Sequence, residues 1–298
     1  LELNNWDNTD AGTNPAIVGY LTADACEMGY SCGGDAANAE QRLAEQTRRA
    51  NIVKGYKDGR FTSANFGNGV LNTYWGPDLM DDHMALMDIS SVDKYPYTSP
   101  QIRFEYGRAP DWNKLGGTEG NAQSSAAYGW QVDQMMKWQD PNRRQPIWIF
   151  VETAQPLLDE TGSGVITPDQ IEGAIWSAIT NEARGISFFQ HNNNDSTGCG
   201  FYSIVDSGCT ATKTKLKTTI GNVKTLAPVI NTQSYAWDFG ATKIDTMLKA
   251  HDSYAYIFSS VGVGGTTGSK TFTLPAVITG TTVEVVNEGR SLSVSGGK

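Results

Sequence analysis

The chain alternates between short strand-like runs, mostly apolar, and longer segments whose apolar residues recur with helical spacing. The strand-like runs are IVGYLTA, RFTSANFG, MDISSVDKYPY, PIWIFVE and RGISFFQHN, beginning at residues 17, 60, 87, 146 and 184. A continuous apolar run of this kind is typical of a strand buried on both faces of a parallel sheet. Strands that alternate with helices therefore predict an α/β fold with a parallel sheet, closed or open.

Helices are predicted between these strands, at about residues 36–53, 76–87, 126–139 and 215–227, and a loop is expected ahead of the third. A further helix has the clearest start. Thr167 can cap it, Pro168 suits its first turn, and Gln170 completes a capping box.

After about Asn231 the pattern changes to short alternating strands. SYAYIFSS, KTFTLP and TTVEVV are separated by clusters of Gly and Thr. This pattern is typical of a small antiparallel β-sandwich. We therefore predict two domains, an α/β catalytic domain over residues 1–230 and a β-sandwich over 231–298.

The apolar run PIWIFVE ends on a single carboxylate, Glu152. In a barrel of alternating strands and helices, the active site lies at the carboxyl ends of the strands. Glu152 is therefore the first candidate catalytic group. A Glu that closes a strand can also be merely the first solvated loop residue. The recurrence of polar residues at the other strand ends favours the catalytic interpretation.

Composition excludes several classes of protein. The chain has 298 residues, 39% of them hydrophobic, which is too apolar for a disordered chain. Its net charge of -9 and the lack of a basic patch argue against nucleic acid or an anionic membrane as partner. No apolar run approaches the roughly 18 residues that a membrane span needs, and LELNNWDNTD does not read as a signal peptide. We expect a soluble chain with an uncharged, sugar-like partner.

The four cysteines fall into two local pairs in Gly- and Ser-rich loops. This spacing predicts disulfides between Cys26 and Cys32 and between Cys199 and Cys209, hence a secreted or cell-surface protein. Four reduced, unrelated thiols are the alternative. The three histidines have no metal-binding spacing, and HNNNDSTGCG lacks the order of a calcium loop. We expect no metal and no cofactor.

The order of these features resembles the second half of a clan-A retaining glycoside hydrolase. Five strand–helix units carry Asn-Phe-Gly from Asn65, Asp-x-Tyr-Pro from Asp93, the carboxylate Glu152 and then an aromatic-rich strand, with β structure behind them. The likeness covers most of residues 16 to 295. It implies strands four to eight of a (β/α)8 TIM-type barrel, with Glu152 as the nucleophile that ends strand seven.

Two departures from that family matter. The first three strands are not found ahead of Pro15, so the missing N-terminal part of its own barrel is an expected partner. The resemblance also implies an acid/base carboxylate at the end of strand four, where the sequence reads Asp24-Ala25-Cys26-Glu27. Ala25 occupies the expected place.

Asp24 and Glu27 remain as possible acids. Glu27 has the longer reach from its loop, but it can equally be a solvated residue beside a disulfide. Asp24 points to a different face from Ala25 if the strand extends that far, and it can equally brace the site by hydrogen bonds.

Sugar rings need aromatic platforms and polar partners, which the loops after the strands supply. The candidate substrate-binding residues are Asn65, Trp75, Asp93, Tyr95, Tyr97, Gln190, His191 and Asn192. The resemblance and these residues together predict a secreted retaining glycosidase that cleaves a polysaccharide or a cell-wall glycan by a two-carboxylate mechanism, with an oligo- or polysaccharide as its substrate. The alternative is a catalytically inactive glycan-binding barrel, which Ala25, natural or engineered, keeps open.

Overall fold

The computed structural model describes residues 2–3, 11–29, 32, 38–73, 79–157 and 160–298. Within these residues one parallel sheet carries its strands in chain order: β1 (Glu2–Leu3), β2 (Gly19–Asp24), β3 (Phe61–Phe66), β4 (Ile89–Val92), β5 (Ile147–Glu152) and β6 (Gly185–Phe189). Every neighbouring pair is parallel. The α/β class and the five predicted strands are confirmed. Closure into an eight-stranded barrel stays a prediction.

Strand β1 corrects the expectation that no strand precedes Pro15. It pairs in parallel with the first two residues of β2. A strand of two residues is too short to produce a hydrophobic period, so sequence reasoning has no signal for it.

The helices are α1 (Ala39–Gly55), α2 (Met80–Ala85), α3 (Pro100–Arg108), α4 (Pro110–Lys114), α5 (Ala126–Lys137), α6 (Pro168–Thr180) and α7 (Thr210–Ile230). Helix α6 begins with the predicted capping box between Thr167 and Gln170. The loop predicted between β4 and α5 is wrong, because it contains α3 and α4, each of which begins at a proline.

The two faces of the parallel sheet differ in character. Its outer face packs against the helices through a large apolar core that includes Phe66, Val92 and Val151. Its inner face lines a small cavity of about 40 Å³. Near the amino ends of the strands, the rings of Phe61 and Trp148 pack edge to face at 6.2 Å on that inner face. The polar residues at the carboxyl ends of the strands therefore lie at the edge of the sheet opposite this aromatic pair.

The C-terminal part is antiparallel, as predicted. Strands β7 (Ser234–Tyr235), β8 (Ile244–His251) and β9 (Tyr254–Val261) form one sheet, and β10 (Thr282–Val285) and β11 (Arg290–Ser293) form a hairpin. The strand predicted at KTFTLP is wrong, because residues 270–275 are irregular. Their backbone bonds run from Thr273 to Phe239 and from Leu274 to Gly297 instead of along a ladder.

The three-stranded sheet packs on α6, where the rings of Trp176 and Phe258 stack at 6.3 Å. Fully buried Lys249 of β8 donates to the Thr232 carbonyl at 2.9 Å and to Ser234 Oγ at 2.6 Å. The β-sandwich arrangement and the domain boundary at residues 230/231 stay predictions.

Candidate functional site

The carboxyl ends of β2 to β5 bring four predicted polar residues to one edge of the sheet. Asp24 ends β2, Asn65 is the penultimate residue of β3, Asp93 follows β4, and Glu152 ends β5. Asp24 lies opposite Asn65 in the register of the sheet. This edge is where the catalytic residues of a parallel α/β barrel lie.

Glu152 is completely buried, so it is not a solvated loop residue. Tyr128 Oη donates a hydrogen bond of 2.5 Å to its Oε2, and Thr98 Oγ1 donates one of 3.5 Å to its Oε1. Burial raises the pKa of Glu152 to about 7, against the opposing effect of the Tyr128 hydrogen bond. A carboxyl group with such a pKa changes its charge near neutral pH, which suits a catalytic group.

Tyr95 has its hydroxyl among the carboxylates. It is 7% exposed, and its Oη has no hydrogen-bond partner among the described residues. Burial, and then the charges of Asp93, Glu152 and Asp24, raise the pKa of Tyr95 well above its usual value. This buried donor therefore has no partner within the described part of the chain, which makes it a candidate hydrogen-bond donor to a ligand.

Asn65 links two carboxylates at this edge. Its Nδ2 donates to Asp24 Oδ1 at 2.8 Å, and Ser91 Oγ donates to its Oδ1 at 2.9 Å, which fixes the orientation of the amide. Burial and the nearby charge of Asp24 raise the pKa of Asp93. Asn65 also lies beside Asp93 and lowers the pKa of its carboxyl group. The Asn65 amide therefore lies beside both aspartates.

A β-bulge explains how Asp24 reaches Asn65. The register between β2 and β3 shifts between Leu21 and Ala23. The extra residue moves Asp24 onto the inner face, with Asn65. Simple alternation along the strand could not reveal this, because a bulge leaves no hydrophobic period of its own.

Ala25 begins the turn after β2. It has a left-handed backbone with φ of 50°, and its N–H donates to the Asn65 carbonyl at 2.8 Å. A Cβ atom on Gly67 would lie 3.1 Å from the Ala25 methyl group. The side chain at position 25 therefore lies near the end of β3, at the edge that carries the carboxylates.

Glu27 does not reach out from its loop, because it is only 1% exposed. Its Oε1 accepts the Gly67 N–H at 2.5 Å, and its Oε2 is buried with no partner among the described residues. Burial raises the pKa of Glu27 to about 7, and the charge of Lys94 opposes this. The interpretation of Glu27 as a solvated loop residue is wrong.

Lys94 and Tyr128 are among the site residues that sequence reasoning missed. Lys94 is 8% exposed, and its Nζ lies 3.4 Å from Asp93 Oδ1. The side-chain amide of Gln131 holds the Lys94 backbone by donating to its carbonyl and accepting its N–H, each at 3.2 Å. Lys94 is the variable residue of the Asp-x-Tyr-Pro motif that begins at Asp93, so its place in the sequence could have identified it as a site residue. Tyr128 lies within an apolar helical segment and resembles a core residue.

The other predicted substrate-binding residues have different surroundings. The ring of Tyr97 stacks at 5.6 Å on the ring of Tyr128, the residue that donates to Glu152. Asn192 is 3% exposed, and its amide donates to three oxygens of the loop that follows β6. Trp75 lies outside the described residues.

Gln190 and His191 follow β6. The Gln190 backbone carbonyl accepts two hydrogen bonds from Ser203, and its side-chain Oε1 is buried with no partner among the described residues. The His191 ring packs between those of Phe189 and Phe201, at 4.9 and 4.8 Å. Both residues border the loop closed by the second disulfide.

Both predicted disulfides are present, Cys26–Cys32 beside Ala25 and Cys199–Cys209 after β6. The alternative of four reduced thiols is therefore wrong. Within the described part of the chain, no helix combines the length and the apolar character needed to cross a membrane.

Comparison with known proteins gives little further information. No protein-family model matches the chain, and no curated protein matches it. Among solved structures it is similar to the β-galactosidase from the psychrophilic Marinomonas ef1, with 16% sequence identity and a TM-score of 0.44. The match covers 63% of this chain and 27% of the β-galactosidase chain. A likeness this distant carries no argument about activity.

Proposed function

We propose that this protein is a retaining glycoside hydrolase that cleaves an oligo- or polysaccharide, with Glu152 as its nucleophile. The observation that carries the proposal is the position of Glu152 at the carboxyl end of β5, the edge that also carries Asp24, Asn65 and Asp93. Glu152 is oriented by Tyr128 and Thr98, and it attacks in its ionised form, which predominates only above about pH 7 because burial raises its pKa to that value. The Tyr95 hydroxyl, which has no partner among the described residues and lies near the charge of Glu152, supplies a donor for a sugar hydroxyl or ring oxygen.

In the proposed reaction a Glu152 oxygen attacks the anomeric carbon while the bond to the leaving oxygen breaks. A covalent glycosyl ester forms, and water then hydrolyses it. The hydrogen bonds from Tyr128 and Thr98 hold the carboxylate in one orientation, so that little reorganisation accompanies the attack. Tyr95 and the Asp24–Asn65 pair would hold the sugar.

The leaving oxygen needs a proton, and the candidates differ in access. Glu27 Oε2 is enclosed, whereas Asp24 is exposed at the end of β2. Asp24 is therefore the better candidate for direct contact with a bound glycan. Because Ala25 occupies the place where the resemblance implies an acid, we propose an enzyme that works best on substrates with good leaving groups.

A second candidate function rests on the same alanine. A carbohydrate site that lacks its acid can bind a glycan without cleaving it, so a catalytically inactive glycan-binding protein is the alternative proposal. The two disulfides support secretion or display at the cell surface for either function.

A hydrolysis screen distinguishes the two functions. The protein would be incubated with aryl glycosides of several sugars and with soluble polysaccharides, alongside Glu152→Gln and the control Glu284→Gln, which changes an exposed residue of β10. Release of product by the parent and by Glu284→Gln, but not by Glu152→Gln, supports the enzyme. Binding of a glycan without product from any substrate supports the binding protein.

A further inference from the structure

The loop closed by the Cys199–Cys209 disulfide presents two aromatic rings to solvent. Phe201 is 48% exposed and Tyr202 is 43% exposed, and their ring centroids lie 4.8 Å apart. Val205 of the same loop is 70% exposed. Grouped, exposed apolar side chains on a protein surface often mark a binding site.

The loop is held in place by several independent contacts. Ser203 donates from its N–H to the Gln190 carbonyl at 2.9 Å, and its Oγ lies 2.7 Å from Oγ1 of Thr153, the residue after β5. The Tyr202 N–H donates to Asp206 Oδ2 at 2.9 Å. Because the loop is fixed by the disulfide and these bonds, its rings lose little freedom when a ligand binds.

Ring contacts connect the exposed rings of Phe201 and Tyr202 to the edge of the sheet that carries Asp24, Asp93 and Glu152. Phe201 stacks on His191 at 4.8 Å, and His191 packs against Phe189 at 4.9 Å. Phe189 in turn stacks on Tyr95 at 5.2 Å. A row of rings therefore leads from the carboxylates near Tyr95 to the solvent-exposed loop.

The chemistry of the loop fits an uncharged sugar. Asp206 is the only charged residue between Cys199 and Cys209, and its carboxylate is already bonded to the Tyr202 N–H. The nearest cation, Lys213, lies outside the loop sequence, and its Nζ already donates to the Asp206 carbonyl, so the loop itself offers no cation to an anionic glycan. Aromatic faces match the apolar face of a pyranose ring, and a Tyr hydroxyl adds a hydrogen-bonding group beside it.

We propose that Phe201 and Tyr202 form a second sugar-binding subsite, which holds another unit of a neutral glycan whose chain also occupies the Glu152 site. The inference rests on the proposed function, and it makes the substrate a chain of several uncharged sugar units rather than a single glycoside. Binding at the subsite would contribute to the affinity for polymers and would leave small aryl glycosides unaffected.

Affinity electrophoresis tests this subsite with laminarin, xylan, glucomannan and galactan in the gel. The variants are Phe201→Ala, Tyr202→Ala and the double substitution, and Tyr254→Ala is the matched control because Tyr254 is 69% exposed at the start of β9. Any polysaccharide that slows the parent protein in the gel should bind the double variant at least about 5-fold more weakly, given the usual strength of two ring contacts. The control should bind like the parent.

Phe201→Leu guards against a folding artefact, because it keeps apolar bulk in the loop and removes the flat ring. Weaker polysaccharide binding by this variant, at an unchanged melting temperature, supports stacking. Equal binding by the parent and the double variant overturns the subsite, as does a parent that no polysaccharide retains. A change of molar mass in light scattering, caused by the substitutions without any polysaccharide binding, would show a protein-association surface instead.

The same experiment separates the subsite from the proposed function. Hydrolysis of aryl glycosides with unchanged polysaccharide binding in the double variant keeps the glycosidase and overturns the subsite. Loss of binding in the double variant, when the parent hydrolyses nothing, keeps the subsite and overturns the glycosidase.

Discussion

Tyr128 Oη donates a hydrogen bond of 2.5 Å to Glu152 Oε2, and neither side chain is exposed to solvent. A donor to the charged form of a buried carboxyl lowers its pKa, here against the larger effect of burial. The ring of Tyr97 stacks on the ring of Tyr128 and fixes its position. The Tyr128 hydroxyl therefore orients Glu152 and lowers its pKa below the value that burial alone would give.

Removing that hydroxyl should raise the pKa of Glu152 further. We expect Tyr128→Phe to lower kcat/KM on an aryl glycoside by roughly 10-fold at neutral pH, the typical effect of losing a hydrogen bond to a charged group. The acid limb of the pH profile should move to higher pH. Tyr106→Phe is the matched control, since Tyr106 is equally buried but donates to the Ala127 carbonyl. An unmoved acid limb in Tyr128→Phe would count against the role of this bond.

The raised pKa also predicts how stability depends on pH. The folded state holds a proton on Glu152 up to about pH 7, whereas a glutamate in the unfolded chain loses it near 4.5. The stabilising effect of this proton is complete below pH 4.5 and is lost as pH rises to about 7, at roughly 3 kcal/mol for a shift of this size. Urea unfolding of the parent and of Glu152→Gln measures it. The variant should show a smaller fall of unfolding free energy over this range, and equal falls would contradict the shift.

Position 25 is predicted to lack a general acid. We expect Ala25→Glu to accelerate cleavage of a natural glycan by roughly 100- to 10,000-fold, the usual contribution of proton transfer, with much less gain on an aryl glycoside. Ala25→Gln has the same size and no proton to give, so it is the control for added bulk at a left-handed backbone position. No gain with either substrate would assign the acid role to Asp24 or Glu27.

The Cys199–Cys209 disulfide should stabilise the loop that carries Phe201 and Tyr202. Replacing both cysteines with Ser should lower the free energy of unfolding by about 2–3 kcal/mol, because the bond closes a short loop. It should also weaken polysaccharide binding. Urea unfolding measures the first effect, and the Cys26→Ser/Cys32→Ser protein is the control for the second. Equal polysaccharide binding by both variants would show that the Cys199–Cys209 disulfide does not support the subsite.

The sequence predicted the parts of the fold that have strong local signals. Each strand from β2 to β6 has its own strand-like run, and the Thr167 capping box marks α6. Strand β1 and the β2 bulge are tertiary features without a period of their own. Helix α3 was predictable, because Ser99 before Pro100 is an N-cap signal, and Ser99 Oγ does accept the Ile102 N–H.

Within the candidate site, the residues at the strand ends were easier to predict than the burial and the contacts of each side chain. Glu152, Asp24 and Asn65 are placed together because parallel strands end at one edge. The burial of Glu27 and the approach of Lys94 to Asp93 depend on how loops fold back over that edge, which no spacing along the chain encodes. Helix α5 likewise brings Tyr128 to Glu152 from a distant part of the sequence.

The most direct test of Glu152 as nucleophile is the hydrolysis rate of Glu152→Ala on an aryl glycoside, measured with and without sodium azide, with Glu284→Ala as control. Removing a covalent nucleophile should lower kcat by roughly 1,000-fold or more. Azide should restore part of the rate by entering the space of the lost carboxylate, and a glycosyl azide of inverted anomeric configuration should accumulate. Turnover by Glu152→Ala at the parent rate, with no glycosyl azide, would contradict the account.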